Sequence, residues 1–559
     1  MYLKNIFSFL TLSLLTLVKV NGNVSQCEEI SLYFQSRRRS NNFRSCKQND
    51  NGEVIELSFV PLCLENEEFA TALSYTYKTI ESLHLVNPYM DWNLRQFCTT
   101  GPTNYEALSN LTNLKFLQID FMENLNVDNL FANIPDSVEH LEIGQMIFNQ
   151  EIVDSLSNLT NLNSIIMNQV KLGDELDFSK FENLKNLTSF EYYNVLGLNM
   201  FWDPSGLHHK VQGNMLKYCR YLKKLKIYRG HFDKNSLYGL GDLTELEELI
   251  IDAPTFADNV NFSSINKDLK NLTFLKIGLP RDFSSNPSPT PYNRIYGSML
   301  NHFPSLKKLI IYSGSFDKDS LSALGNLIEL EELILNFPII ENENNLLILE
   351  ELKELKNLTS LSIQCQYPLN NISSNFFYLT NLKRLSIFTC QTTFNTSSDN
   401  SLTWANLNNL EFLDVEGCGP NTFELENIGD LSSLKEVHLM KNDYSSIPEC
   451  IGNLKNLEIL NISNNLINSL PESIGNLKNL KILDISNNSI NSLPKSIENL
   501  KNLEIVRDPK YSDNLVPPYV PHYELIDNIE PSDDVEPSDN IEPSDDVEFF
   551  DYDEIFDYA

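Results

Sequence analysis

Apolar residues recur at fixed intervals along Leu454, Leu457, Leu460 and Ile462, and the run closes on Asn465. The same register returns 23 residues later from Leu477 to Asn488, precedes it from Leu431 to Asn442, and begins again at Leu500. Leu460 and Ile462 alternate at period two, so both point to one side of a short strand while Ile459, Asn461 and Ser463 point to the other. One such coil cannot bury its own apolar edge, so coils must stack strand on strand. Asn465 fits the turn after the strand, where a side-chain amide bonds backbone groups left unpaired between coils. Asn442 and Asn488 extend that row.

The inward pair serves as a ruler for the rest of the chain. It predicts strands at Leu57/Phe59, Leu83/Leu85, Leu117/Ile119, Leu141/Ile143, Ile165/Met167, Phe190/Tyr192, Leu225/Ile227, Leu249/Ile251 and Leu275/Ile277. It continues through Leu309/Ile311, Leu333/Leu335, Leu361/Ile363, Leu385/Ile387, Leu413/Val415, Val437/Leu439, Leu460/Ile462 and Leu483/Ile485, with Val506 opening a truncated last coil. About 17 coils give a stack roughly 80 Å long at the usual strand separation. Longer spacings carry insertions at Met122 to Ile134, Leu198 to Gly213 and Arg281 to Gly297. A larger repeat overlies the coils: Leu222 to Asp252 matches Leu306 to Asn336 at about two-thirds of positions, as a block duplicated about 84 residues apart. Upstream the asparagine row gives way to Cys418, Cys390, Gln366, Pro338, Gly314, Pro280, Pro254 and Gly230. A thiol replaces the amide as a small donor, whereas proline donates nothing.

The LxxLxxLxLxxN pattern resembles the leucine-rich repeat. The resemblance implies an α/β solenoid, a curved horseshoe whose parallel sheet lines the concave face, spanning 53–507. Leu470 to Leu477 is similar to Ras-suppressor-type and disease-resistance-type repeats. Cys27-Glu28-Glu29-Ile30, Cys46 and Gly52-Glu53-Val54 resemble the N-terminal cap of secreted plant and fungal repeat ectodomains, here 23–52. Disulfide candidates in this cap region are Cys27, Cys46, Cys63 and Cys98, which allow three connectivities. Cys219 takes a core leucine position, and it reads with Cys365, Cys390, Cys418 and Cys450 as buried free thiol.

Residues 1–22 read as a secretory signal, with Lys4, an apolar centre from Ile6 to Val18 and a small-residue end at Val20-Asn21-Gly22. No later stretch reads as a membrane span. Glycosylation sequons begin at Asn23, Asn110, Asn158, Asn186, Asn261, Asn271, Asn357, Asn371, Asn395, Asn461 and Asn487. Asn158, Asn186, Asn271 and Asn357 read as one repeated Asn-Leu-Thr element leading into a strand.

Nearly half of the net charge of −34 lies at the C-terminus, where 16 acidic residues and no Lys or Arg follow from Asp513. Hexapeptides such as Asn528-Ile529-Glu530-Pro531-Ser532-Asp533 repeat there. Proline and unscreened like charge predict a disordered acidic tail over 508–559. The balance argues against a nucleic-acid partner, which needs clustered Lys and Arg.

No phosphate-binding loop, His-Glu-x-x-His or nucleophile elbow is present, and His208-His209 with His231 lacks the ligand spacing of a metal site. No catalytic residue, metal or cofactor is expected. The outward strand positions mix aromatics with charge, the composition of recognition surfaces. Tyr228, Arg229, Asp252, Lys276, Tyr312, Phe337, Arg384, Phe388, Asp414, Glu416 and His438 are therefore the candidate ligand-binding residues. The sequence reads as a secreted, non-catalytic protein binding a protein or glycan on this face, with an intracellular repeat scaffold as the alternative. It says nothing of oligomeric state.

Overall fold

The computed structural model describes residues 25–507 apart from 87–100, 121–126, 145, 173–175, 194–210, 212, 253–254, 257–264, 279–292, 296, 313, 317, 337–338, 341–349, 366–371, 374–376, 390–393, 396–402, 421–422 and 424. The expected signal segment, the acidic tail, Asn23, Cys98, His208-His209, Asn261, Phe337, Asn371 and Cys390 fall outside those residues.

Nineteen strands join in a single sheet. Its first strand, Phe43–Gln48, runs antiparallel to Val54–Phe59 across the tight turn at Gly52, whose φ of +76° suits glycine. Every later strand is parallel to its neighbour. Leu57 lies opposite Leu83, Leu83 opposite Leu117, Phe190 opposite Leu225, and the register holds to Leu460 opposite Leu483. All residues of the predicted inward pairs are buried, as stacking requires. The last strand, Glu504–Val506, departs from expectation. Ile505, not Val506, lies opposite Leu483 and packs on the core. Among the described residues no further coil stacks on this strand to hold its register, and it slips by one position.

Short helices line the opposite side. Gln150–Leu156 and Lys234–Leu240 are α-helical because Asn149 and Asp233 cap them, accepting from Ile152 N at 2.9 Å and Ser236 N at 2.8 Å. In the last coils Pro448, Pro471 and Pro494 take the cap position without a side-chain acceptor, and only the 3-10 turns Glu449–Asn453, Glu472–Asn476 and Lys495–Asn499 form. Gly213 sits so close to Asn235 of the next coil that a Cβ would lie 2.0 Å from its carbonyl oxygen. Only glycine lets these helices approach so closely.

The predicted asparagine row is present. Asn465 donates to Leu439 O, Ile462 O and Ser463 O at 2.8, 3.0 and 3.1 Å, and its Oδ1 accepts from Asn442 N and Tyr444 N, both at 3.1 Å. Asn442 Oδ1 accepts from Cys418 N at 2.9 Å, and Asn488 Nδ2 donates to Ile462 O at 2.8 Å. Cys418 takes the same place with a thiol, donating to Ile387 O at 3.3 Å and Glu416 O at 3.2 Å.

At the N-terminal end the helix Gln26–Ser36 buries Ile30, Tyr33 and Phe34. Phe34 meets Phe59, Phe59 meets Phe69, and Phe69 meets Tyr105, at 5.8, 5.8 and 5.1 Å between centroids. A disulfide between Cys27 and Cys46 ties this helix to the antiparallel strand. Cys63 is disulfide-bonded too. Cys365, read from the sequence as a free thiol, is also in a disulfide, while Cys219, Cys418 and Cys450 are free. Cys365 follows its strand directly and its N–H donates to Phe388 O of the next coil at 2.9 Å, which places it at the seam between coils.

Candidate ligand-binding face

The outward positions form three rows across the sheet, one before, one between and one after the inward pair. Parallel strands stand about 4.8 Å apart, so each outward side chain is flanked by its counterparts on both neighbours. That spacing makes the face far less open than the alternation alone suggests. Lys226, Ile250, Asp252, Ile310, Asn336, Ser362, Asp414 and His438 all have under a tenth of their surface exposed. Asp252, Asp414 and His438, expected at a binding surface, are thus packed within the face.

Three arrays keep exposed or half-exposed members. In the first, the ring of Tyr228 stacks on that of Tyr193, 4.3 Å between centroids and 12° between planes. Tyr193 was not among the expected residues. Its hydroxyl donates to Glu191 Oε2 at 2.6 Å, and Glu191 holds Lys226 at 3.5 Å and Lys224 at 3.8 Å. Burial pushes the Tyr228 hydroxyl up to about 12, and nearby Asp252 adds to the effect.

In the second array, Lys276 lies between Asp252, 3.6 Å from its Oδ2, and the ring of Tyr312, 5.7 Å from the centroid. Burial raises the Asp252 carboxyl to about 6 despite the lysine. The third array joins Arg384, 3.9 Å over the Phe412 ring, to His438, whose ring lies 5.7 Å from Phe412. His438 Nε2 is 2.7 Å from Glu436 Oε1, and Lys441 is 2.7 Å from Glu416. Phe388 is half-buried beside these groups in the row of Glu416.

Arg229 does not belong to the face. It lies in the turn just after the strand Lys224–Tyr228, at a φ of +57°. The same left-handed position, four residues after the first inward residue, recurs at Gln169, Thr389, Gly417, Lys441, Asn464 and Asn487. There its backbone pairs with the next coil: Arg229 N donates to Asp252 O at 2.8 Å, as Thr389 N does to Glu416 O.

Toward the N-terminal end the face becomes acidic. His84 contacts Ser82 and Gln118, and Gln118 donates to Asp120 at 3.0 Å. Burial and the neighbouring Glu142 raise Asp120 to about 6. Gly144 on the next strand makes room for this carboxylate, since a Cβ there would lie 2.6 Å from Asp120 Oδ1.

Residues 391–516 match the family described as leucine-rich repeat region. No curated protein matches the chain by sequence. Among solved structures, the TLR13–ssRNA13 complex is 18% identical with a TM-score of 0.56, over 82% of this chain and 65% of that one. The Drosophila Toll–Spätzle complex is 16% identical with a TM-score of 0.53, over 81% of this chain and 57% of that one. A leucine-rich-repeat protein of Leptospira interrogans is 21% identical with a TM-score of 0.46, over 73% of this chain and 88% of that one.

The chain is a leucine-rich-repeat solenoid.

Within this repeat architecture the duplicated coils keep their ion pairs. Lys223–Glu247 and Lys307–Glu331 are 2.8 and 2.9 Å apart, and Lys224–Glu248 and Lys308–Glu332 are 3.7 and 3.0 Å. The paired glutamates that begin these repeat strands are therefore salt-bridge partners of the preceding coil. Among the described residues no group of three or more His, Cys, Asp or Glu side chains is placed to hold a metal ion, and no helix is long and apolar enough to cross a membrane. His231 is half-buried at the start of a two-residue strand, away from any such group.

Proposed function

We propose that this leucine-rich-repeat protein is secreted and non-catalytic, and that it binds a protein or glycan ligand on the outward face of its sheet between Tyr193 and His438. The stacked Tyr193/Tyr228 pair carries the proposal. A rigid, half-exposed aromatic platform beside Lys276 and Tyr312 offers contact area at low entropic cost, with polar tips for hydrogen bonds. Burial of much of the surrounding face favours the same outcome, because side chains fixed in the free protein lose little freedom on binding. The disulfides at Cys27–Cys46, Cys63 and Cys365 belong to an oxidising compartment, which favours secretion over the intracellular scaffold. TLR13 is complexed with single-stranded RNA and Toll with Spätzle. A net charge of −34 speaks for a partner of the second kind, since RNA phosphates need clustered cations.

The test is parallel capture on the full chain from extracellular material and from cell lysate, with mass-spectrometric identification. A ligand from the extracellular pool that is lost when Tyr193, Tyr228 and Tyr312 are replaced by Ala supports the proposal. Retention of the chain in the cytosol with Met1 intact overturns secretion. Binding that survives the tyrosine variant and vanishes on truncation after Asp513 overturns the sheet face as the site.

A further inference from the structure

Five of the sequons among the described residues fall into two structural classes that the sequence does not distinguish. Asn186, Asn271 and Asn357 stand four residues before Phe190, Leu275 and Leu361, the first inward residues of their strands. Each donates its side-chain amide to the preceding coil: Asn186 to Thr160 O at 2.9 Å, Asn271 to Thr244 O at 3.0 Å, and Asn357 to Ile328 O at 3.1 Å. Their threonines are tied to the same coil, Thr188 Oγ1 to Asn163 Oδ1 at 2.7 Å, Thr273 Oγ1 to Glu247 O at 3.2 Å and Thr359 Oγ1 to Glu331 O at 3.1 Å. Asn113, Asn161, Asn381, Asn409, Asn456 and Asn479 fill the same position outside any sequon and make the same bond. The position selects asparagine for a second inter-coil ladder, and the three sequons arise when a threonine follows at the right place.

Asn158 does not share that register. It stands seven residues before Ile165, as Asn110 stands seven before Leu117. Both side chains are exposed, as are Thr112 and Thr160, and neither amide makes a hydrogen bond among the described residues. The two sit on the same flank, two strands and so about 10 Å apart, beside an open polar groove lined by Thr112, Asn113, Lys115 and Asn161. Asn461 is buried. Asn487 donates to Asn464 Oδ1 at 3.0 Å, and the middle residue of its sequon is the ladder asparagine Asn488. Asn186, Asn271 and Asn357 are exposed as well, so the amide's hydrogen bond and not exposure separates them from Asn110 and Asn158: an N-glycan replaces an amide hydrogen on the group that the ladder holds against the preceding coil.

We propose that Asn110 and Asn158 carry N-glycans, and that Asn186, Asn271, Asn357 and Asn461 remain unmodified as structural amides. The assignment rests on the proposed secretion. The two glycans at Asn110 and Asn158 then sit together on the N-terminal flank, on coils that precede the Tyr193–His438 face.

The test expresses the full chain in a eukaryotic secretory host, removes glycans enzymatically in heavy-oxygen water, and maps the labelled aspartates by peptide mass spectrometry. Label at positions 110 and 158, with none at 186, 271, 357 or 461, is the expected result. Label at any of 186, 271, 357 or 461, or its absence from 110 and 158, overturns the assignment. A second version, with a host secretion leader fused ahead of the chain, separates the two proposals. If only the leader version enters the secretory route, secretion of the native chain is overturned, and its label pattern still decides the sites. Asn110→Gln and Asn158→Gln should each remove one glycan at unchanged melting temperature, whereas Asn271→Gln should lower the melting temperature and remove none.

Discussion

Tyr228 lies flat on Tyr193, 4.3 Å between ring centroids, although 34 residues and an insertion separate them in the chain. The strands that carry them are adjacent, Tyr228 directly opposite Tyr193. The pair therefore acts as one platform, and replacing either ring exposes the other. Replacing Tyr193, Tyr228 and Tyr312 together with Ala should weaken a captured ligand at least tenfold, about 1.4 kcal/mol, measured by calorimetry or surface plasmon resonance. Arg229→Ala should have little effect on affinity, because Arg229 sits in the turn beyond the strand. A large loss from Arg229→Ala alone would move the site to the rim.

The asparagine ladder should be the most sensitive feature of the C-terminal coils. Asn465 satisfies three carbonyls and two backbone N–H groups, so Asn465→Ala leaves several buried groups unpaired, at about 1–3 kcal/mol for each group that water cannot reach. Leu460→Ala should cost on the order of 2–5 kcal/mol through the cavity it leaves. Because coils support only their neighbours, hydrogen exchange should accelerate between Met440 and Val506 and stay unchanged near Leu57. Uniform acceleration along the chain would contradict nearest-neighbour stacking.

The fold was legible because burial at period two demands apolar residues, and each inward pair from Leu57/Phe59 to Leu483/Ile485 meets that demand by itself. Asn465 was legible for the same reason: its turn requires a side chain that both donates and accepts. The face was harder to read. Arg229 carries no mark of a left-handed turn, as glycine would, so its position emerges only from the recurrence of that turn in three dimensions. Alternation says that Asp252 points outward, not that neighbouring strands will bury it. Tyr193 is followed by an insertion that hid its pairing with Tyr228. The shared Asn-Leu-Thr letters placed Asn158 with Asn186, yet the two stand three residues out of phase against the strand.

The free cysteines should differ sharply in reactivity. Cys219 is fully buried and burial pushes its thiol up to about 12, leaving almost no thiolate at pH 8. Cys418 is buried and bonded to two carbonyls. Cys450 is only half-buried. Alkylation of the native protein without reductant should modify Cys450 first, and Cys219 and Cys418 only after unfolding, as read by peptide mapping. Cys27, Cys46, Cys63 and Cys365 should resist until reductant is added. Rapid labelling of Cys365 before reduction would show that its disulfide does not form.

Stability should rise as pH falls from 7 to 5. Asp120 and Asp252 each have a carboxyl raised to about 6, chiefly by burial. A raised folded value means that the folded protein holds the proton more tightly than the unfolded chain. The cost of the buried charge is therefore fully present above about pH 6 and is relieved as pH falls toward the ordinary carboxylate range. For each residue the change amounts to about 3 kcal/mol at most. Asp154, Glu411 and Glu472 are lowered by hydrogen bonds, so whatever stability they add is lost only in more acidic solution and does not oppose the trend between pH 5 and 7. Thermal melting across this window should show a higher midpoint at pH 5, and Asp120→Asn with Asp252→Asn should raise the midpoint at pH 7 and flatten the slope. A wild-type midpoint that falls steadily from pH 7 to 5 would mean that these carboxylates are not buried in the folded protein.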